Sequence, residues 1–210
     1  MSTAGYNTTI KKSGTSTALT NEAMANTSGF TYQITDTSRR VLDRTIVPTF
    51  KDNGSPVASS DIASIDYLFG TVTFLTSKTE PVVMATGSYV PLADILGAYS
   101  HSLSLSRTLL DDSSYDKTSV NGGIRTYITG LADGQLTVSR WENLDNTYYN
   151  ALQNRTPLLI EVHAGGSGDK FRGWFVCESE VHSGAVADQE QQELTFQLDS
   201  RYEVNLGFGT

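Results

Sequence analysis

From Phe30 onward the chain alternates apolar and polar residues. Phe30, Tyr32 and Ile34 share one parity while Thr31 and Gln33 take the other, the period of a half-buried strand. Ile65, Tyr67 and Phe69 alternate likewise, Gly70 interrupts, and Val72 with Phe74 resume on the opposite parity. That break predicts a hairpin or bulge through Gly70 that resets the facing. Residues 82–90 predict another strand, and residues 91–96, which open on Pro91, predict a single helical turn. In 98–107 one parity reads Ala98, Ser100, Ser102, Ser104, Ser106 and the other Tyr99, His101, Leu103, Leu105, Arg107. One face of that strand carries only tiny side chains.

Further along, residues 124–131 and 135–141 predict a hairpin across Ala132-Asp133-Gly134. Residues 143–154, with Leu144, Tyr148, Ala151 and Leu152 at helical spacing and Asp145 in the first turn, are the one good helix candidate. Three strands follow, at 158–164, 170–182 and 189–199, the first two joined by Gly165-Gly166-Ser167-Gly168. The fold class expected is mainly β: an antiparallel sandwich or barrel-like domain at 26–203 with one flanking helix. Residues 1–25, rich in Thr, Ser, Asn and Gly without a sustained apolar pattern, are expected to form an extended arm with at most a few ordered turns. Residues 111–123 predict a long exposed loop, and 204–210 a C-terminal arm.

The non-core parities of the late strands make a pattern of their own: Gln135, Thr137 and Ser139; Glu161 and His163; Glu178 and Glu180; Glu193, Thr195, Gln197 and Asp199. The core parities are Leu136 and Val138; Leu158, Ile160 and Val162; Phe171, Phe175 and Cys177; Leu194, Phe196 and Leu198. A sheet wet on one side and dry on the other is implied, and its wet side is mostly acidic. From Glu178 to Glu203 there are seven carboxylates against one arginine.

Composition narrows the chemistry. A net charge of -8 argues against a protein that grips phosphate backbones, since those are basic on at least one face. With a single cysteine, Cys177, no intrachain disulfide forms, and the residue reads as a small core hydrophobe. No stretch approaches the ~18 consecutive apolar residues of a membrane span, and the first residues lack the apolar core of a signal peptide, so synthesis in a cytoplasm is expected. His101, His163 and His182 lack metal-ligand spacing. Glu178 and Glu180 would be same-strand neighbours pointing one way, whereas acid catalysis needs two carboxyls across a cleft. No Gly-x-Ser-x-Gly elbow, zinc-binding helix or phosphate-cradling loop is present, so neither enzyme activity nor a cofactor is expected.

The ordered series Thr20-Asn21-Glu22-Ala23, Tyr32-Gln33-Ile34-Thr35-Asp36, Arg40-Val41-Leu42-Asp43 and Ile65-Asp66-Tyr67-Leu68-Phe69-Gly70-Thr71-Val72-Thr73-Phe74 resembles the tail tube (major tail) proteins of long-tailed, siphophage-type bacteriophages. Gly87-Ser88-Tyr89 and Phe171-Arg172-Gly173-Trp174 continue it, over roughly residues 20–200. Through that family the chain is similar to contractile-tail and type VI secretion tube proteins. The resemblance implies a virion structural protein assembling into stacked, hexameric rings that conduct DNA. It implies as partners the chain itself, a tape measure protein and tail-end proteins, with DNA passing unbound and no membrane. Gln135, Thr137, Ser139, Glu161, Glu178, Glu180, Glu193, Gln197 and Asp199 become candidates to line the lumen. Asp111, Asp112, Tyr115, Asp116 and Lys117 become candidates for inter-ring contacts. An acidic wall suits a conduit, where the cargo must slide without sticking. Two alternatives stand beside this one: a terminator ring or other tail component, and a receptor- or carbohydrate-binding β-sandwich using Trp141 and Trp174 as stacking platforms.

Overall fold

A computed structural model describes residues 9–111, 127–141, 146–163, 170–184, 189–199 and 206–209. In chain order the elements are β1 (Thr9–Ser13), β2 (Thr17–Ser28), β3 (Thr31–Ile34), β4 (Thr49–Asp52), β5 (Ser55–Pro56), β6 (Ile62–Asp66), β7 (Thr71–Phe74), β8 (Val82–Tyr89) and β9 (Leu92–Asp94), then β10 (Ala98–Asp111), β11 (Tyr127–Trp141), helix α1 (Thr147–Asn154), β12 (Pro157–His163), β13 (Lys170–Ser183), β14 (Gln191–Leu198) and β15 (Leu206–Gly209). The mainly β, antiparallel class, with one α-helix among the described residues, is as expected. Two compact units divide the chain. The first comprises Met1–Ile95, Leu159–Gly173 and Val204–Thr210; the second comprises Leu96–Leu158 and Trp174–Glu203.

In the first unit a seven-stranded sheet runs β5-β4-β8-β2-β3-β7-β6. Its core gathers Leu19, Met24, Tyr32, Ile34, Leu42, Phe50, Val72, Phe74, Val82 and Met84. Phe74 meets Phe50 and Tyr32 edge-on, with ring centroids 5.8 and 5.7 Å away. Tyr32 and Ile34 are buried as their parity requires, whereas Phe30, at the preceding turn, is exposed. The turn at Gly70 joins β6 to β7 with φ of +62°, and an added Cβ would lie 2.6 Å from the Arg40 carbonyl oxygen. Glycine is needed there for both conformation and space. The unit also pairs β12 with β1 and β1 with β9.

Three expectations are corrected here. Residues 91–96 do not form a helical turn; Leu92–Asp94 is a strand whose partners on β1 satisfy its backbone. The stretch expected as an arm contains β1 and most of the 12-residue β2. Within β2 the buried anchors Leu19 and Met24 are five residues apart, an odd spacing, and Asn21 between them has a left-handed φ of 51°. That residue turns the facing over, so no single period of two runs through the segment. In the C-terminal stretch, Leu206–Gly209 pairs with Lys170–Gly173 of β13.

In the second unit the strands run β10-β11-β14-β13. The hairpin expected across Ala132-Asp133-Gly134 is absent, because β11 continues through those residues and pairs with β10, Ser106 facing Asp133 and Leu105 facing Gly134. Gly134 is a close-approach glycine and not a turn glycine: a Cβ there would lie 2.9 Å from Leu105 Cδ2 and 3.5 Å from Leu198 Cβ. Helix α1 buries Tyr148 and Ala151, with Tyr148 edge-on to Phe196 at 6.0 Å. It ends at Arg155, whose left-handed φ of 51° lets its N–H reach back to the last turn. Among the described residues no helix is long and apolar enough to cross a membrane.

Candidate functional site

Directly opposed residues in an antiparallel sheet share a face, so the registers of β10, β11, β14 and β13 define the open side of the second unit row by row. One row reads Ser102, Thr137, Thr195, Ser179; the next on one side reads Ser104, Gln135, Gln197, Val176; the next on the other reads Ser100, Ser139, Glu193, Val181. The central row consists entirely of hydroxyl side chains. At the end of the face Trp141, Gln191 and Ser183 align. Tyr99, in a β10 irregularity, lies against the Trp141 ring at 4.7 Å and donates its hydroxyl to Gln191 Oε1 at 3.0 Å.

Five of the nine lumen candidates, Gln135, Thr137, Ser139, Glu193 and Gln197, therefore share one wall. Glu178 joins them through a β-bulge between Cys177 and Ser179: it is exposed, and its carboxylate accepts from Gln135 Nε2 at 3.3 Å. The same bulge overturns the expectation for Glu180. One extra residue shifts the parity, so Glu180 stands opposite Leu194 on the apolar side, while Val181 takes its place outside and is 53% exposed. Glu178 and Glu180 face opposite ways.

Glu161 and Asp199 also leave the wet wall, at 2% and 4% exposure. β12 is buried on both faces over Leu158–Val162, so its alternate residues have no solvent side. Glu161 is compensated instead by Arg172, whose Nε donates to it at 2.7 Å; Arg172 also donates from Nη1 to the Leu68 carbonyl at 2.6 Å and lies 4.9 Å from the Phe69 ring centre. Asp112, Tyr115, Asp116 and Lys117 lie outside the described residues, and Asp111 is the last residue of β10.

Glu180 belongs to a second buried group. Arg140 Nε donates to Gln192 Oε1, and Gln192 Nε2 donates to Glu180 Oε1, which also meets His182 Nε2 at 3.2 Å. The Arg140 guanidinium lies 4.7 Å from the Tyr148 ring centre. Glu180 Oε2 is buried without a hydrogen-bond partner among the described residues. Cys177, 3% exposed, has its thiol pushed up to about 11 by burial and then by the Glu180 charge, which makes it inert at neutral pH.

Alternation over 135–139 alone omits Asp133, because turn chemistry at Ala132-Asp133-Gly134 masks the strand that runs through it. Asp133 lies on the open face, accepting from Gln197 Nε2 and from the Gly134 N–H. The alternation Asp133, Gln135, Thr137, Ser139 was the signal. On this face, among the described residues, there is no Lys or Arg; Asp133, Glu178 and Glu193 stand among hydroxyls, amides and the valines Val176 and Val181. The wall is a hydrogen-bonding surface of weak negative charge and not the densely acidic one expected. Chemically it offers water many partners and a polyanion none that is cationic. Among the described residues no cluster of three metal-ligating side chains exists. Trp174, expected as a stacking platform, is buried at 8% exposure, whereas Trp141 is 37% exposed.

The sequence matches no family model and no curated protein. Nine chains of solved structures match the fold. One belongs to the tail of an empty gene transfer agent particle refined helically in C6 symmetry, at 18% identity and a TM-score of 0.47, covering 57% of this chain and 87% of that one. Another belongs to the virion of a native gene transfer agent particle, at 18% identity and a TM-score of 0.46, covering 57% and 89%.

Proposed function

We propose that the chain is a structural subunit of a phage-like tail, a tube protein that joins copies of itself into rings and stacks them into a conduit for DNA. The observation that carries this reading is β10. It is a 14-residue edge strand, paired on one side with β11 and, among the described residues, with nothing on the other. A long open edge is a liability for a monomer and an asset for a chain whose neighbour supplies the missing strand. A head-to-tail contact of that kind closes into a ring when the rotation permits. Among the described residues, the wall that β10 borders has no cation to neutralise phosphates, so it suits passage of DNA without the counterion release that drives binding.

The reading assigns no catalytic role and no cofactor. Its partners are further copies, a tape measure protein and tail-end proteins, and its place is the virion tail after synthesis in a host cytoplasm. Negative-stain imaging of concentrated protein tests it: rings or hollow tubes are expected, and a sample that stays monomeric with other tail proteins present overturns it. Replacing Glu178 and Glu193 together by lysine is expected to leave assembly intact and to slow DNA ejection, most at low salt, where screening is weakest. Because Glu180 is buried, it has no part in that experiment.

A second reading is favoured by the exposed Tyr99–Trp141 pair, which offers a stacking surface of the kind carbohydrate- and receptor-binding sandwiches use. A small oligomer that never polymerises and loses ligand retention on Trp141→Ala would support it over the tube.

A further inference from the structure

Strand β10 is open in two directions. Its backbone, 14 residues long, has no strand partner on its outer edge among the described residues. Its dry side is uncovered as well. His101, Leu103 and Leu105 stand opposite Val138, Leu136 and Gly134 of β11, and on β14 Leu194 and Phe196 continue the rows of Val138 and Leu136. Those four core residues, Leu136, Val138, Leu194 and Phe196, are 0% exposed, whereas Leu105 is 43% exposed, His101 is exposed and Leu103 is half-buried. Helix α1 supplies part of the cover over the inner strands, Tyr148 meeting Phe196 edge-on and lying against the Arg140 guanidinium of β11. The cover ends before β10.

A single exposed leucine is ordinary. Leu103 and Leu105, however, share the dry parity of a sheet and lie beside an open backbone edge. The Leu105 Cδ2 is 2.9 Å from where a Gly134 Cβ would stand, so the side chain leans inward along the sheet and its bare flank is the outer one. Whatever pairs with β10 in the plane of the sheet therefore passes beside that flank. To match it, the partner needs a wet side continuous with Ser100, Ser102 and Ser104 and a dry side continuous with Leu103 and Leu105. A second copy of this chain has a sheet of that sidedness, since β10-β11-β14-β13 is hydroxyl-rich on one side and apolar on the other. We propose that the next copy in the ring, as it pairs with β10, also covers this dry flank and buries Leu103 and Leu105. The inference rests on the ring reading and adds to it a second layer: backbone pairing in the plane of the sheet and apolar burial beneath it.

Single introduced cysteines read the contact, because native Cys177 is 3% exposed and the parent serves as the blank. Leu105→Cys and Ser102→Cys lie on the dry and wet sides of the same strand. Each is reacted with iodoacetamide as monomer and again after co-assembly with excess parent, and labelling is read by mass spectrometry. Both are expected to react in the monomer. In the assembly Leu105→Cys should react at least about tenfold more slowly, as a site reached only when the contact opens, while Ser102→Cys, facing the channel, should slow by less than about threefold. Thermal unfolding that matches the parent establishes that both variants are folded; exclusion of folded Leu105→Cys from the assembly, with Ser102→Cys incorporated, also supports the contact. Protection of Leu105→Cys already in the monomer would assign the cover to another segment of this chain and overturn the proposal. Labelling of Leu105→Cys unchanged on assembly would overturn it and leave the tube reading standing, whereas a parent that never assembles removes both.

Discussion

In the first unit Arg172 meets Glu161 directly at 2.7 Å, with a backbone carbonyl and a phenyl ring completing the guanidinium's surroundings. In the second unit Gln192 stands between Arg140 and Glu180, passing the interaction through its amide. Both arrangements bury an arginine and a glutamate inside a β structure. The direct pair is sealed, its side chains 4% and 3% exposed. The bridged one leaves Glu180 Oε2 without a partner among the described residues and borders the half-exposed His182. Coulomb attraction falls with separation while the desolvation cost of each ion remains, so the bridged group holds its carboxylate less tightly. The difference locates stability in the first arrangement and tolerance to change in the second.

The largest expected effect breaks the direct pair. Glu161→Ala leaves the Arg172 charge buried and unpaired, a loss of about 3–5 kcal/mol in urea unfolding; a loss below ~1 kcal/mol would mean water reaches the guanidinium. Next comes pH. The Cys177 thiol is raised from 9.0 to about 11, so the unfolded chain loses its proton first as pH rises. The stability tied to the neutral thiol is therefore complete below pH 9 and declines between pH 9 and about 11, by roughly 2–3 kcal/mol. Unfolding titrations of the parent beside Cys177→Ala isolate this slope from that of the lysines, and identical slopes would refute it.

A smaller effect tests the bridge. Glu180→Gln keeps an oxygen for Gln192 but removes the charge opposite Arg140, an expected loss of about 1 kcal/mol. Because Glu180 repels the thiolate, the same variant should also shift thiol reactivity to lower pH. An unchanged profile for thiol-reagent kinetics would show that the Glu180 charge does not reach the sulfur. The smallest effect belongs to the carboxylate two residues earlier. Glu178→Gln, on the exposed face, is expected to change stability by no more than ~0.5 kcal/mol. Equal losses at 178 and 180 would remove the bulge from the account.

Those two glutamates also mark where sequence reading stops. Alternation correctly assigned Leu136, Val138, Leu194, Phe196, Phe175 and Cys177 to the core. It failed beyond residue 178, because a bulge adds one residue to one strand only and the period of two does not register the slip. Exposed Val181 was the available clue, an apolar residue on what became the polar side. At Asp133-Gly134 the error ran the other way: turn chemistry was present, but β10 extends alongside and keeps the strand going. Local propensity yielded to a long-range partner.

What the chain determines by itself is whatever one strand or helix can express alone. The parity of β7 after Gly70, the buried face of α1 at Tyr148 and Ala151, the alternating dry side of β14 and the burial of Cys177 all follow from side-chain periodicity, which is a local property. Only the tertiary structure decided which carboxylates meet water. Glu161 lies inside because β12 is covered on both faces, Glu180 because its strand bulges, and Glu193 remains outside because its does not. Solvent exposure of a charge depends on neighbours distant in sequence, and no period along a single strand encodes them.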